Sequence, residues 1–566
     1  MKCKILLLLP LMAAGLTACH DELEETVYSN LTDDTAFTSA ENAQAAVDAM
    51  YAPLQAIYRD PMFQAADGVT DVCFDKGVSA FDVLNDEAIR TSTHLATCWD
   101  NFYQVASRAN IVIDRVGGMD DALFDSNETS TKVYDKSRMV AEAHFMRAYA
   151  YMQLTDLFYQ VPLVTSSDVD VAAKLPFADI ADIEAAIETD LRAALSLPEK
   201  YATNDDGGRP TCGAARGFLV RLYMRQAGRM RQSGSGDADA KWRQALTEVN
   251  EVLNMKGRVY NLQPRVWDVF NPDTEATLYN DELMFTIRAN SMGSNGTWDL
   301  GMMFTSWDYD RGWGLFFIPL ELYWKFDPAD ERRAQLIVDE FPNTYNDPAN
   351  PAAASYYVTP QSIEQVSTLS KSNLQNGAII PGEQYGTINE NGMVFTRKYE
   401  YHNMSYTYQT HNNMPVMRFA DMILCKAEIL NEINGPTQDV IDLINEIRER
   451  AFQNNQHNLA LSDYSTREAM RSAICDERAF ELNLECSRRV DLVRMGLWKQ
   501  RMDAYFASIK ERVEWKERNE GKASGFYSSE WEIYPQDLTE NDIRRYMPIP
   551  KRETDYNPGL LNARTF

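Results

Sequence analysis

The stretch AEAHFMRAYAYMQLTDLFYQVPLV, residues 141–164, is the segment of this chain that decides the fold class. Its apolar residues recur every three or four positions, which predicts an amphipathic helix over residues 137–158. Ala141, Ala143 and Ala148 lie in the same segment. Small side chains let helices approach closely, as in tetratricopeptide-type helix pairs. The stretch therefore predicts a protein whose main packing unit is the helix pair.

The same spacing continues on both sides of this stretch. It predicts helices at 99–116, 180–197, 214–226, 242–255, 416–433, 438–451 and 466–495. The sequence Asn434-Gly435-Pro436 ends one of these helices before the next begins, since Gly is favoured after a helix and Pro near the start of one. No strict 34-residue repeat is present, so any tetratricopeptide-like repeat is degenerate.

The middle of the chain, residues 257–414, has a different composition. It is rich in Asn, Gly, Pro, Tyr and Trp, and its short strand-like runs include 283–288 and 393–399. Long irregular stretches in a compact protein are usually functional surface or mobile loop. We therefore expect one domain over 36–566, with an N-terminal helical part (36–256), a loop-rich part (257–414) and a C-terminal helical part (415–566).

Composition and charge exclude several classes of protein. The chain has 566 residues, of which 45% are hydrophobic and 24% charged, so disorder and a small disulfide scaffold are excluded. The formal net charge of −28 argues against a nucleic-acid partner. It also argues against electrostatic docking on anionic lipid.

The N-terminal sequence MKCKILLLLPLMAAGLTAC, residues 1–19, has the pattern of a bacterial lipoprotein signal. Its apolar run, residues 5–16, is too short to span a bilayer as a helix. The run ends in Leu16-Thr17-Ala18-Cys19, a lipobox. We predict a signal peptide over 1–18, lipidation of Cys19 and a tether over 19–35; an ordinary cleaved signal is the alternative. The acidic residues after Cys19 resemble a surface-export signal, although a solvated tether would look the same.

Searches for catalytic and metal-binding motifs return none. HExxH, GxSxG, GxxxxGK[ST] and GxGxxG are all missing from the sequence. The six His residues are scattered, and His144 is expected to be a core or boundary residue of its helix. The Cys residues have no zinc spacing, so buried free thiols are expected for most of them. We therefore predict no catalytic residues, no metal site and no cofactor.

Seven blocks in order along the chain resemble the SusD/RagB family of outer-membrane nutrient-binding lipoproteins. They are Trp99 with Tyr103 and Ala109-Asn110; 141–164; 208–223; 319–322 with 330–333; 418–428; 477–482 with 488–494; and 547–550 with 557–558. Two positions depart from the family pattern: Asp421 stands where Glu is usual, and Val490 where an aromatic residue is usual.

This resemblance implies an all-α fold of degenerate tetratricopeptide-like helix pairs with a loop-rich, short-strand face. It implies a non-catalytic, glycan-binding protein at the cell surface, held to the outer membrane by lipid beside a SusC-like TonB-dependent transporter. Most of the matched residues are expected to be scaffold. Trp99 is expected in the core, and inter-helix ion pairs or caps are expected at Arg147, Glu428, Glu477, Arg478 and Asp491.

A saccharide site needs flat aromatic rings for stacking and polar side chains for hydrogen bonds. The window 298–313 offers both, with candidates Trp298, Asp299, Trp307, Asp308, Tyr309, Asp310, Arg311 and Trp313. A second window, 71–81, offers Phe74, Asp75 and Phe81. For any one aromatic residue of the window 298–313 the alternative is a place in the core, and the second window has no Trp, which departs from the family pattern. Capture of peptides or another nutrient, and a surface hydrolase, are the alternative functions.

Overall fold

The computed structural model describes residues 37–75, 86–124, 134–170, 173–201, 207–271, 280–288, 299–305, 312–343, 355–358, 378–379, 386–388, 394–400, 412–520 and 545–561. None of the helices in these ranges is both long enough and apolar enough to cross a membrane.

The N-terminal part is helical, as predicted. Its helices are α1 (Ala40–Ala49), α2 (Ala52–Arg59), α3 (Pro61–Ala66), α4 (Asp86–Thr91), α5 (Thr93–Ile111), α6 (Lys136–Phe158), α7 (Ile180–Ala193), α8 (Cys212–Ser233) and α9 (Ala238–Leu253). A π-helical turn, Val112–Val116, extends α5, and 3₁₀ turns lie at Asp121–Leu123 and Ala194–Ser196. Two short strands, β1 (Val69–Thr70) and β2 (Cys73–Asp75), follow α3.

Helix α6 contains the stretch that decides the fold, and it lies at the centre of the N-terminal part. It packs against α5 on one side and α7 on the other, while α8 packs against α9. The Asp135 side chain begins α6 by accepting the Arg138 backbone N–H at 3.1 Å. Most of its side chains are buried, which explains why Ala and aromatic residues alternate along it.

The loop-rich middle contains short elements. They are α10 (Trp267–Phe270), β3 (Leu283–Ile287), α11 (Leu300–Phe304), β4 (Phe316–Phe317), α12 (Leu320–Tyr323), α13 (Glu331–Leu336), β5 (Ile337–Val338), β6 (Glu340–Asn343), β7 (Ser355–Val358), β8 (Ala378–Ile379), β9 (Gly386–Ile388), β10 (Phe395–Thr396) and β11 (Met414–Arg418). The sheets have the orders β1-β2-β4, β3-β11, β5-β10 and β6-β7-β9-β8, and only the β7–β9 pairing is parallel.

The C-terminal part returns to helices. They are α14 (Phe419–Asn434), α15 (Gln438–Phe452), α16 (Arg467–Leu482), α17 (Arg488–Met495), α18 (Trp498–Glu520) and α19 (Lys551–Tyr556), with 3₁₀ turns at Leu461–Asp463 and Pro558–Leu561. Helix α14 packs against α9, α15 and α16, so it joins the two helical parts. Gly435, at φ 79°, ends α14 as the sequence predicted.

Two helix predictions were wrong in detail. The helix predicted from residue 416 begins at Phe419, because residues 414–418 pair with β3 as strand β11. The helix predicted over 466–495 is broken into α16 and α17. Between them Leu484 and Cys486 both have φ 59°, and the Asp67 carboxylate accepts the backbone N–H groups of Cys486 (2.8 Å) and Arg488 (3.0 Å). A distant carboxylate therefore stabilises a break that helical periodicity does not reveal.

The ion pairs expected between helices are confirmed. Arg147 of α6 donates two hydrogen bonds of 2.7 Å to Asp190 of α7. Arg478 of α16 pairs with Asp421 and Asp491 at 2.7 Å each. Glu428 pairs with Arg494, and Glu477 with Arg332 and Arg448. These charges are structural because they join helices inside the fold.

A buried charge cluster is centred on Arg418, at the junction of β11 and α14. Its guanidinium pairs with Glu282 (2.6 Å), Glu481 (3.0 Å) and Glu485 (2.7 Å). Arg450 pairs with two of the same carboxylates, and Lys398 pairs with Glu485. Burial opposes the ionisation of Glu481, but the charges of Arg450 and Arg418 outweigh it and hold the pKa of Glu481 well below its usual range.

Candidate functional site

The two predicted windows fall partly inside the described residues. Asp299, Trp313, Phe74 and Asp75 are described. The other candidates lie outside the described residues: Cys19, Phe81, Trp298, Trp307, Asp308, Tyr309, Asp310 and Arg311. The site is therefore built from Asp299 and Trp313 and from the residues that contact them.

Trp313 is an exposed aromatic residue on a fixed backbone. Its side chain is 39% exposed. Its backbone N–H donates to the Met302 carbonyl at 2.7 Å, and the Leu315 N–H donates to Met303 at 2.7 Å. Gly312 lies so close to Thr305 that a Cβ at Gly312 would be 1.9 Å from the Thr305 carbonyl oxygen. The chain therefore returns directly along α11 and presents the indole ring at the surface.

Arg59, the last residue of α2, joins Trp313 and Asp299 into one surface. Its Nε donates to Asp299 Oδ1 at 3.0 Å. Its Cζ lies 5.8 Å from the centroid of the Trp313 ring, within cation–π range. Half of the Arg59 side chain is exposed. We call Arg59, Asp299 and Trp313 the Trp313 platform.

The platform carries both signs of charge. Burial raises the pKa of Asp299, the nearby charge of Asp60 adds to the rise, and Arg59 opposes it. His94 Nε2 lies 3.1 Å from Asp60 Oδ2, and this hydrogen bond raises the pKa of His94. The arrangement offers a flat apolar ring beside a cationic donor and a carboxylate acceptor. Such a surface can stack on an uncharged ring and hydrogen-bond its hydroxyl groups.

Sequence reasoning did not find Arg59, Asp60 or His94. They lie in the N-terminal helices, more than 200 residues before Trp313 in the chain. The one local signal is a basic residue in the last turn of α2, which is common in helices that bind nothing.

Phe74 and Asp75 were expected on a ligand-binding loop, but both are buried in this structure. Phe74 is 2% exposed, and its ring lies 4.9 Å from that of Phe317 on the paired strand β4. Asp75 accepts a 3.0 Å hydrogen bond from Gln64. Asp71, at the start of the same window, forms a two-pronged pair with Arg488. In this conformation these side chains pack the fold and present no surface to a ligand.

The described residues contain no group of three or more His, Cys, Asp or Glu side chains that could hold a metal ion. His144 contacts Asp190 at 2.7 Å and lies at the edge of the core, as predicted. The six cysteines in the described ranges are free thiols, and burial raises the pKa of Cys98 and Cys425 far above the usual range.

Two family models match the chain. One describes the SusD family and matches residues 318–564. The other describes proteins named "Starch-binding associating with outer membrane" and matches residues 23–224. The chain belongs to the SusD-like family. The second description supports an association of this SusD-like protein with the outer membrane.

Relatives of known name match this SusD-like chain over different lengths. SusD-like protein P2 of Formosa agariphila is 24% identical over 518 residues, which cover 85% of this chain and 88% of the relative. A SusD-like protein of Bacteroides ovatus is 27% identical over 228 residues, or 39% of each chain.

Solved structures share the fold. A SusD homolog from Bacteroides thetaiotaomicron superposes with a TM-score of 0.68 at 20% identity, covering 93% of this chain and 98% of that one. Surface glycan-binding protein A from the same species, in complex with laminarihexaose, superposes with a TM-score of 0.62 at 19% identity, covering 93% and 99%. The predicted all-α, tetratricopeptide-like fold is thereby confirmed.

Proposed function

We propose that this SusD-like protein captures oligosaccharides at the cell surface and delivers them, uncleaved, to a SusC-like TonB-dependent transporter. The observation that carries the capture step is the Trp313 platform: an exposed indole beside Arg59, which is itself paired with Asp299. Similarity to surface glycan-binding protein A, whose structure was determined with laminarihexaose, supports the class of ligand.

The energetics of stacking fit the reversible capture of a sugar. One sugar face stacked on an indole removes about 50–80 Å² of apolar surface from water, worth roughly 1–2 kcal/mol at about 25 cal/mol per Å². Arg59 donates and Asp299 accepts, so hydroxyl groups at the ring edge find both kinds of partner. A site of this strength holds a ligand and releases it again, as delivery to a second protein requires.

The remaining predicted residues would extend the platform. Thr305 and Gly312 are in backbone contact beside Trp313. The six residues that join them in sequence include Trp307, Tyr309 and Arg311. We propose that these residues and Trp298 contribute further stacking faces and hydrogen-bond partners for an oligosaccharide.

We propose binding without cleavage. Glycoside hydrolases use two carboxyl groups about 5–10 Å apart across the scissile bond, with one of them free to attack or to activate water. At the platform Asp299 is paired with Arg59, and its neighbour Asp60 with His94. Both carboxylates thus have a hydrogen-bonding partner, which suits an acceptor of sugar hydroxyl groups better than a nucleophile.

Affinity electrophoresis through gels containing single polysaccharides would identify a ligand, and calorimetry with its oligosaccharides would measure the affinity. Chromatography of the mixture after long incubation would detect products. We expect saturable binding and an unchanged oligosaccharide. Released reducing ends would contradict the non-catalytic assignment, and binding of peptides but of no glycan would contradict the ligand class.

Partnership with a transporter is tested separately. Isolation of the protein from native membranes in mild detergent should recover a large β-barrel transporter with it. The recovered complex should persist through washing, because a stable pairing needs an extensive interface. Recovery of the protein alone, while the transporter is expressed in the same membranes, would contradict delivery.

A further inference from the structure

A second cavity lies between the end of α8 and the start of α17, and none of its lining residues belongs to the Trp313 platform. It encloses about 240 Å³, room for one monosaccharide or a small anion. Its walls come from the end of α8, from α17 and from the segments around Asp156 and Tyr546. The lining residues include Arg225, Arg229, Ser233, Arg489, Val490, Val493, Arg494, Asp156, Tyr159 and Tyr546. We call it the arginine pocket.

The charge of its walls is opposite to that of the whole chain. The lining contains five arginines and one carboxylate: Arg225, Arg229, Arg489, Arg494, Arg545 and Asp156. The protein as a whole has a formal net charge of −28. A concave concentration of guanidinium groups attracts anions, and each planar group can donate two parallel hydrogen bonds to an oxyanion.

Ion pairs behind the wall hold several of these guanidinium groups in place. Arg229 donates from both terminal nitrogens to Glu184, at 2.9 and 2.5 Å. Arg494 donates to Asp491 and to Glu428. The Nη1 of Arg225 donates to Asp156 at 2.6 Å and to Thr155 at 2.7 Å. The pocket is therefore organised before a ligand enters, which lowers the entropy lost on binding.

Arg225 and Arg489 are both buried in the wall of this pocket. Arg225 is only 9% exposed, yet its Nη2 has no hydrogen-bond partner in the described part of the chain. An unsatisfied buried donor is costly, so an acceptor placed there is favoured. Burial lowers the pKa of Arg489 to about 10, and the charge of Asp67 only partly opposes this. A neighbouring anion would stabilise the charged form of Arg489.

The pocket also has an aromatic wall. The rings of Tyr159 and Tyr546 lie 4.9 Å apart at 36°. Burial raises the pKa of Tyr546 to about 12, and Arg225 and Arg229 oppose the rise, which places its hydroxyl group among the guanidinium groups. Tyr546 thus stays protonated at neutral pH.

We propose that the arginine pocket is a second binding site, specific for a small oxyanion: the carboxylate or sulfate group of an acidic sugar, or the free inorganic anion. This inference does not rest on the proposed function of the Trp313 platform. An anion there would accept from the guanidinium groups of the wall, while the two tyrosines would contact any ring attached to it.

The test is calorimetry and thermal melting of the full chain at constant ionic strength, with sodium sulfate, sodium phosphate, D-glucuronate and D-glucose as separate probes. We expect saturable binding of at least one oxyanion and a raised melting temperature, and no response to glucose in this pocket. Tighter binding of glucuronate than of sulfate would assign an acidic sugar. Tighter binding of sulfate or phosphate would assign the inorganic anion.

Ser233, an exposed residue that lines the pocket, offers a matched pair of variants. Ser233→Glu adds a negative charge at the rim and should weaken oxyanion binding at least fivefold, whereas Ser233→Gln adds similar bulk without charge and should leave it nearly unchanged. Arg545→Gln, also at an exposed position, should weaken it as well. All three variants should melt like the parent protein without ligand.

Three results would overturn the proposal. The first is that sulfate, phosphate and glucuronate change the heat signal and the melting temperature no more than sodium chloride does. That result would show that the protein has no specific oxyanion site. The second is oxyanion binding that neither Ser233→Glu nor Arg545→Gln changes, which places it elsewhere. The third is loss of oxyanion binding in Trp313→Ala, which places it at the platform.

Discussion

The guanidinium carbon of Arg59 lies 5.8 Å from the centroid of the Trp313 ring, and the two residues are 254 positions apart in the sequence. The proposed ligand surface therefore combines residues of the N-terminal helices with residues of the loop-rich middle. Asp299 holds Arg59 near Trp313. Its carboxylate accepts a hydrogen bond from Arg59 Nε, and it lies at the start of α11, to which the Trp313 backbone is hydrogen-bonded.

Phe74→Ala should separate core residues from ligand-binding residues. Phe74 packs against Phe317 and is almost fully buried, so truncation should lower the free energy of unfolding by about 3–5 kcal/mol. Chemical denaturation measures this loss. Glycan affinity per folded molecule should be unchanged, and a selective loss of affinity with normal stability would return Phe74 to the binding site.

Arg418→Met should be the most damaging of the charge deletions. It leaves Glu282, Glu481 and Glu485 with fewer buried cations, and removing one member of a buried ion pair costs about 3–5 kcal/mol. Arg258→Met is the matched control, because its pair with Glu199 is fully exposed to solvent and is expected to leave stability nearly unchanged. Urea titrations of both variants compare them, and equal midpoints would contradict a structural role for the Arg418 cluster.

The stability contributed by Asp67 should fall as the pH rises. Burial raises its pKa in the folded protein to about 7, whereas the unfolded chain has the usual value near 4. The folded state therefore binds this proton more tightly, so the stabilisation is complete below about pH 4 and is lost between about pH 4 and pH 7. The change amounts to roughly 4 kcal/mol, at about 1.4 kcal/mol for each pKa unit.

The role of Asp67 is measured as a difference in the free energy of unfolding between two proteins. Unfolding free energies of the parent protein and of Asp67→Asn are compared at pH 5 and pH 8, so that other titrating groups cancel. We expect the parent to lose stability relative to the variant as the pH rises. A constant difference would show that Asp67 keeps one charge state across this range.

Cys19→Ala should abolish lipid attachment. The predicted lipobox Leu16-Thr17-Ala18-Cys19 would supply a thiol for acylation, and acyl chains supply about 0.8 kcal/mol per buried CH₂ group. Metabolic labelling with a fatty acid and membrane fractionation should find the variant unlabelled, either soluble or as the unprocessed precursor. Equal labelling of variant and parent would contradict anchoring at Cys19.

The helical scaffold was predicted well from the sequence because the signals that define a helix lie within a few residues of one another. The predicted 137–158 and 438–451 helices correspond to Lys136–Phe158 and Gln438–Phe452, since periodic burial and capping act within a few turns. Where a distant group intervenes, the prediction was wrong. The break between α16 and α17 depends on Asp67, more than 400 residues earlier in the sequence.

Part of the proposed site could be selected from the sequence for the same reason. Trp313 and Asp299 stand in a window rich in aromatic and polar residues, and that composition is visible in sequence. Whether an aromatic side chain faces solvent depends on strand pairing, however, and the pairing of Phe74 with Phe317 joins segments about 240 residues apart. Arg59 could not have been selected, because its partners become neighbours only in the folded chain.

The central claim is that the Trp313 platform binds a saccharide, and calorimetric titration of Trp313→Ala tests it most directly. Tyr556→Ala is the matched control, since Tyr556 is an aromatic residue outside the platform that is even more exposed, at 52% against 39% for Trp313. With an oligosaccharide that binds the parent protein, we predict a 5- to 30-fold weaker affinity for Trp313→Ala, parental affinity for Tyr556→Ala and unchanged melting temperatures for both. Parental affinity in Trp313→Ala, with its melting temperature intact, would contradict the account.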